Sequence, residues 1–206
     1  SFTLCPMFAV RSIEDITLNS DRCDALPPPL NICTLSIRTY FDEQTRQHEI
    51  FALSMRVFLG SNMEQFDENC VHTFISKPPS STTLMCKDIP TDKITICHSE
   101  RQLLTRFVRA VDLLDVDFIS GYAMITNDIP LLFERMRVCK VQEWFKIGRI
   151  NRDIPIKGNY VNKLLCFSGR IPVDIREGCV EFLKLKANDL SSIALQELGI
   201  KRQQID

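Results

Sequence analysis

Two apolar runs, residues 30–40 and 49–59, leave this chain few ways to fold. They stand directly behind Pro27-Pro28-Pro29 and are separated by the polar stretch 42–48, the pattern of two neighbouring strands joined by a turn. Ile50, Phe51, Ala52, Leu53, Met55, Val57 and Phe58 are apolar at odd and even positions alike. Such strands belong at the centre of a sheet covered by helices rather than in a sandwich with one wet face. Three consecutive prolines have no N–H to donate and stiffen the backbone, so the chain divides there. Residues 1–29 read as the connecting end of a preceding domain, and 30–206 as the main one.

Beyond these runs, residues 71–76 form a third strand that ends at Lys77-Pro78-Pro79. From His98 the period becomes helical: Leu103, Leu104, Phe107, Val108, Val111 and Leu114 fall on one stripe, and Ser99 with Gln102 three positions later forms a capping box. A short strand at 118–120 is stopped by Gly121. Asn127 or Asp128 heads a helix that tolerates Pro130 in its first turn and carries Leu131, Leu132, Met136 and Cys139 on its apolar face. After an irregular basic stretch come a strand at 170–173, a helix at 175–185 capped by Asp174, and a last helix at 189–198 stopped by Gly199. Strands first, then strands alternating with helices, indicate a mixed-sheet α/β domain.

With 45% hydrophobic and 25% charged residues among 206, the chain is a globular one with enough apolar material for a real core. No window of about eighteen uncharged apolar residues is present and the first residues lack a signal-peptide pattern, so no membrane role is expected. The formal net charge of -1 gives no global field for nucleic acid, and any such contact needs a local patch. Nine cysteines without a CxxC, several inside apolar runs, read as reduced thiols of a cytosolic or nuclear protein. His48, His72 and His98 lack metal-ligand spacing, and the seven glycines form neither GxGxxG nor GxxxxGK[ST].

The segment Phe118-Ile-Ser-Gly121-Tyr122-Ala-Met-Ile-Thr-Asn127-Asp128-Ile-Pro130 is, on its own, a strand, a glycine turn and a helix with Asp128 as N-cap. It also resembles the second exonuclease motif of family B DNA polymerases, with Gly121, Tyr122, Asp128 and Pro130 in register. Ala123 and Asn127 stand where that motif usually has asparagine and phenylalanine. Pro27-Pro-Pro-Leu30 followed by Leu35-Ser36-Ile37-Arg38-Thr39 resembles the strand of the first motif. Ser76-Lys77-Pro78, Ser99-Glu100-Arg101, and the stretches 135–149 and 183–190 resemble the alpha branch of that family, and the stretch 139–149 resembles the zeta branch less. The resemblance implies a ribonuclease-H-like 3′–5′ exonuclease fold, a mixed β-sheet flanked by helices.

Proofreading members carry Asp-x-Glu in the first motif, because two-metal hydrolysis needs several carboxylates around two divalent ions. Here those positions read Ser36-Ile37-Arg38. A guanidinium about 4 Å from a divalent ion would repel it by about 8 kcal/mol at an effective dielectric near 20. No catalytic residue and no metal site are therefore expected; Ser36 and Arg38 are degenerate positions, and Asp128 is a remnant better explained as a helix cap. The third motif, Tyr-x-x-x-Asp, and palm motifs such as DxxSLYP do not occur within the 206 residues. The chain thus reads as a piece of a longer polymerase. It needs no cofactor itself, and Mg²⁺ is expected at the palm of the parent enzyme.

One positive feature remains. Between residues 134 and 163 eight basic side chains face three acidic ones, a net of +5, with Trp144, Phe145 and Tyr160 interleaved. Lys146, Arg149, Arg152 and Lys157 are the nucleic-acid-binding candidates, set against a solvated surface whose aromatics pack inward. If they are surface charges, reversing Arg149 and Arg152 should leave stability nearly unchanged. By resemblance, the partners are a DNA/RNA primer-template, met through the parent polymerase, with primase and accessory subunits, and the location is the nucleus. The alternatives are an active nuclease whose ligands come from elsewhere, and an independent nuclease-like docking module.

Overall fold

The computed structural model describes residues 29–61, 70–76, 94–150, 164–183 and 189–202. The segment ahead of Pro29, read as the end of a preceding domain, lies outside them, as do Arg152 and Lys157. Six strands form one sheet: β1 (Leu30–Asp42), β2 (Gln47–Ser61), β3 (Cys70–Ser76), β4 (Ile94–Cys97), β5 (Phe118–Gly121) and β6 (Ile171–Asp174), in the order β4-β3-β2-β1-β5-β6. Strand β2 pairs antiparallel with β1 and β3, and the pairs β1–β5, β3–β4 and β5–β6 are parallel. The sheet is therefore mixed, with β2 alone reversed, the arrangement of a ribonuclease-H-like fold.

The first hairpin is longer than the sequence indicates, its turn shrinking to residues 43–46. Asp42 explains this: its carboxylate accepts from Gln44 N at 3.1 Å and from Thr45 Oγ1 at 2.7 Å. That is an Asx-type turn, in which a side chain satisfies the backbone and lets the flanking residues stay paired. Strand β4 has no counterpart in the sequence reading. Four residues are too few to show a period, and it exists because Ile94–Cys97 hydrogen-bonds to β3.

Along β1 the expected cover on both faces is not found among the described residues. Cys33 and Leu35 are buried while Ser36 and Arg38 are exposed, a period of two. The buried face continues across the ladder through Val57, Met55 and Leu53, opposite Cys33, Leu35 and Ile37. Helices α1 (Glu100–Leu113) and α2 (Ile129–Val138) supply the rest of this core with Leu103, Leu104, Phe107, Val108 and Val111, and with Ile129, Leu132, Phe133 and Met136. Each such side chain stabilises by about 1.5–3 kcal/mol when taken from water, enough to fix both helices on one face.

Ser99 caps α1 as its sequence indicates, accepting from Gln102 N at 3.3 Å. The reciprocal bond is displaced by one residue, Gln102 Oε1 accepting from His98 N at 2.7 Å rather than from the cap's own N–H. The helix read at 175–185 is shorter and irregular, a single α-turn, α3 (Ile175–Gly178), followed by a π-helical turn at Cys179–Leu183 with no buried residue. Helix α4 (Leu190–Leu198) ends at Gly199, whose φ of 65 is the left-handed C-cap glycine adopts freely. Cys33, Cys97, Cys139, Cys166 and Cys179 are free thiols, and burial pushes Cys33 up to about 12.

One buried charge ties the layers together. Arg135 on α2 is 4% exposed and donates to Glu100 at the head of α1 (Nε–Oε1 2.8 Å), to Glu49 (3.1 Å) and to Gln47 (2.9 Å) at the start of β2. Glu100 Oε1 also accepts from Ile50 N at 2.8 Å. Removing one partner of a buried pair strands the other's charge and costs about 3–5 kcal/mol. Arg135→Met should therefore lower the unfolding free energy by about 3 kcal/mol or more in urea titrations at pH 7. Arg137→Met, which removes a half-exposed pair with Glu134, should cost less than about 1 kcal/mol.

Candidate functional site

Strands β1 and β5 are parallel neighbours whose chains leave in opposite directions, β1 to β2 and β5 to β6. In an open α/β sheet the crevice beyond the carboxyl ends of two such strands is where sites form. Here that crevice receives the exposed Ser36 and Arg38 from β1, the Gly121 turn from β5 and Asp174 from β6. Gly121 permits a close approach: a Cβ there would lie 3.2 Å from the Leu35 carbonyl oxygen and 3.0 Å from Met124 Cβ. The turn therefore leaves β5 pressed against β1. Ala123 follows in the left-handed region with φ 53, and Met124–Asp128 winds as one π-helical turn into α2.

Asp174 holds this turn. It is 6% exposed, its Oδ1 accepts from Ala123 N (2.9 Å) and Arg176 N (3.0 Å), and its Oδ2 accepts from Ile125 N at 2.9 Å. Its capping role for the helix after β6 holds, but the sequence reading missed its larger role across the sheet. A carboxylate at the end of a parallel strand, one residue before a helix, was the only signal available.

Asp128 is not the helix cap expected of it. Its backbone is already helical (φ -73, ψ -43), because the π-turn runs without a break into α2, and its side chain makes no capping bond. Half-burial, with the Asp174 charge adding to it, pushes its carboxyl up to about 6, and Arg38 draws it back down. The charges of Asp174 and Arg38 both act on Asp128, and Ser36 shares the exposed face of β1 with Arg38. Divalent cations, which the resemblance implies for proofreading members, do not fit that set. Asp174 has its oxygens committed to backbone amides, Ser36 is a neutral donor, and a permanent cation acts on the remaining carboxylate. Among the described residues no group of three or more His, Cys, Asp or Glu is placed to hold a metal.

The basic stretch is largely neutralised where it is described. Arg135 is buried with Glu100, Arg137 pairs with Glu134, and Lys146 lies 3.7 Å from both Asp112 and Glu143. Arg149 is engaged most fully, at 2.7 Å from Asp115 and 2.7 Å from Asp117, and it also donates to Gly169 O. Of these acids, Glu100, Asp112, Asp115 and Asp117 lie on α1 and in the loop that follows it, so a charge count along 134–163 alone does not see them. Trp144 packs against the core. Nearby, buried Arg170 donates to the carbonyls of Ile147 and Val116, and Gly148 packs where a Cβ would sit 2.6 Å from the Cys166 carbonyl oxygen. Arg149 therefore braces the 115–117 loop, which corrects the expectation that reversing it is neutral for stability.

Two outcomes follow from this geometry. The raised carboxyl of Asp128 means that between about pH 4 and 6 the folded chain keeps a proton that the unfolded chain has lost. The stability this confers is present at low pH and is lost as pH rises through that window. Asp128→Asn should thus stabilise by about 1–2 kcal/mol above pH 6, after discounting for partial exposure, and change little below pH 4, as read from denaturation midpoints against pH. Arg149→Glu should lower the melting temperature by several degrees, since it puts three carboxylates together; a melting curve within a degree of wild type would contradict the bracing role.

Comparison with known proteins comes from two directions. Residues 7–193 match the family model described as DNA polymerase family B, exonuclease domain. The DNA polymerase alpha catalytic subunit of Mus musculus is 27% identical over 190 residues, and that of Xenopus laevis 29% over 205, each alignment covering 87% of this chain and 13% of the relative. The DNA polymerase delta catalytic subunit of Caenorhabditis elegans is 27% identical over 131 residues, 59% of this chain and 12% of the relative. The chain thus spans about an eighth of the length of these relatives, and with a sheet order, a glycine turn and a strand-end crevice that agree with the match, it belongs to the exonuclease domain family of family B DNA polymerases.

Proposed function

We propose that this chain is a non-catalytic, exonuclease-like scaffold within an alpha-type replicative DNA polymerase, one that extends RNA primers without proofreading. The observation that carries the reading is the content of the crevice: Ser36 and Arg38 at the first-motif positions, and Asp174 saturated by the amides of Ala123, Ile125 and Arg176. Two-metal hydrolysis needs carboxylates free to bind ions, one to generate hydroxide and one to stabilise the leaving oxygen. Asp128 alone cannot supply that. The alpha-type assignment is supported by the mouse and frog relatives, which align over more of the chain than the delta relative does.

In this reading the parent enzyme meets a primer-template, works beside primase and accessory subunits in the nucleus, and holds its Mg²⁺ at a palm that this chain does not contain. The domain contributes shape: a rigid sheet whose carboxyl edge is locked by Asp174 rather than opened for a reaction. Lys146 and Arg149, the described candidates in the basic stretch, already have carboxylate partners, which weighs against them as nucleic-acid contacts.

Incubation of the chain with a 5′-labelled primer and Mg²⁺ or Mn²⁺ should give no shortening above a no-protein control. Metal-dependent digestion that persists through repurification would overturn the proposal. Restoring carboxylates with Ser36→Asp and Arg38→Glu together should also fail to give full activity, since Asp174 stays committed to the turn and the second motif differs at Ala123 and Asn127.

A further inference from the structure

We propose that residues 122–128 form a strap across the carboxyl end of β5 and that the Asp174 carboxylate is its latch, so that losing this carboxylate opens the strap while the rest of the domain stays folded. Both ends of the strap are fixed by packing. At one end Gly121 lets β5 approach β1 closely, since a Cβ there would lie 3.2 Å from the Leu35 carbonyl oxygen. At the other end Ile129, Leu132 and Phe133 of α2 are buried in the core. Between them the anchorage is thin. Within Met124–Asp128 only Met124 is buried, and Thr126 and Asn127 are exposed.

The conformation held there is unfavourable on its own. Ala123 lies in the left-handed region (φ 53, ψ 28), which is costly for a residue with a Cβ. The π-helical turn after it is a rare backbone form. Such features persist only where the surroundings over-determine them, and between the two fixed ends that task falls to one side chain. The backbone N–H groups of Ala123 and Ile125 both donate out of the turn, each at 2.9 Å, to the two oxygens of Asp174 on β6. Inside the turn, Asn127 N–H donates to the Ala123 carbonyl at 3.0 Å and Ile129 N–H to that of Met124. Asp174 therefore does for this turn what an N-cap does for a helix, from a strand 49 to 51 residues further along the chain. Both of its oxygens are needed. Asparagine would keep one oxygen for Ala123 and Arg176 and set an NH₂ group against the Ile125 N–H.

The test is amide hydrogen exchange, read residue by residue at pH 7.5 in the 206-residue chain without metal or DNA, so its outcome is separate from that of the nuclease assay. Asp174→Asn should speed exchange at Ile125 by about ten- to hundredfold, because a buried donor loses its acceptor. The amides of Leu104 and Phe107 in α1 should stay within about twofold of wild type, the mark of a local opening. Ala123→Gly relieves the left-handed strain and should slow exchange at Ile125 by about two- to tenfold. Added to Asp174→Asn, it should recover a similar factor. An unchanged Ile125 amide in Asp174→Asn, or acceleration of Ile125 and α1 by the same factor, would show that Asp174 is no latch. If Asp174→Asn does not fold, the measurement moves to the double variant: a folded chain with fast exchange confined to the strap supports the proposal, and an unfolded one overturns it.

Discussion

The buried Arg135 guanidinium is the interaction on which the architecture depends. It reaches from α2 to the head of α1 through Glu100 and to the first residues of β2 through Glu49 and Gln47. Tyr40 of β1 joins the network through Glu49, and Cys139 at the end of α2 donates to Glu100. Three elements distant in sequence are thereby fixed at one point, in surroundings that hold the Cys139 thiol up to about 12 by burial and by the Glu100 charge. A buried ion pair is weak evidence of net stabilisation against an apolar alternative, but it is intolerant of any geometry that leaves a charge unpaired. Its role here is to select one docking of α1 and α2 on the sheet.

At the opposite end of the same strands the logic is different. The carboxyl edge of β1, β5 and β6 is where an open α/β sheet places its sites. In this chain Asp174 closes the turn after Gly121 by accepting from the amides of Ala123 and Ile125. The glycine, the turn and the acid of the segment at 118–130 are present, and Ser36 and Arg38 of β1 are a neutral hydroxyl and a cation. Packing around Gly121 is close: a Cβ there would lie 3.2 Å from the Leu35 carbonyl oxygen, so a larger residue would oblige its neighbours to give by a few tenths of an ångström.

A third set of charges illustrates how little a local count conveys. Residues 134–163 are strongly basic in sequence, yet Asp112, Asp115 and Asp117 meet Lys146 and Arg149 from α1 and its following loop. Arg149 holds the carboxyl of Asp115 below its usual range. These are braces between a loop and an irregular segment, with one or both partners partly exposed, so each contributes modestly and their number matters more than any one.

What the sequence determined by itself is whatever depends on neighbours along the chain. The two long strands, the α1 stripe with its Ser99 cap, the stop at Gly199 and the mixed α/β order were legible because periodicity and capping are local. The motif around Gly121 and the missing carboxylates at Ser36 and Arg38 were legible for the same reason, being short and colinear. Tertiary structure decided the rest. Strand β4 is too short to carry a period, and only its pairing with β3 makes it a strand. Asp128 was read as a cap because an acid before a helical run usually is one, whereas the π-turn leading into it, held by Asp174 from a strand about 46 residues away, makes it helical already. The same distance hid the partners of Arg149 and Arg135. Charge pairing across a sheet acts through space, and no pattern along the chain encodes it until the strands are set in order.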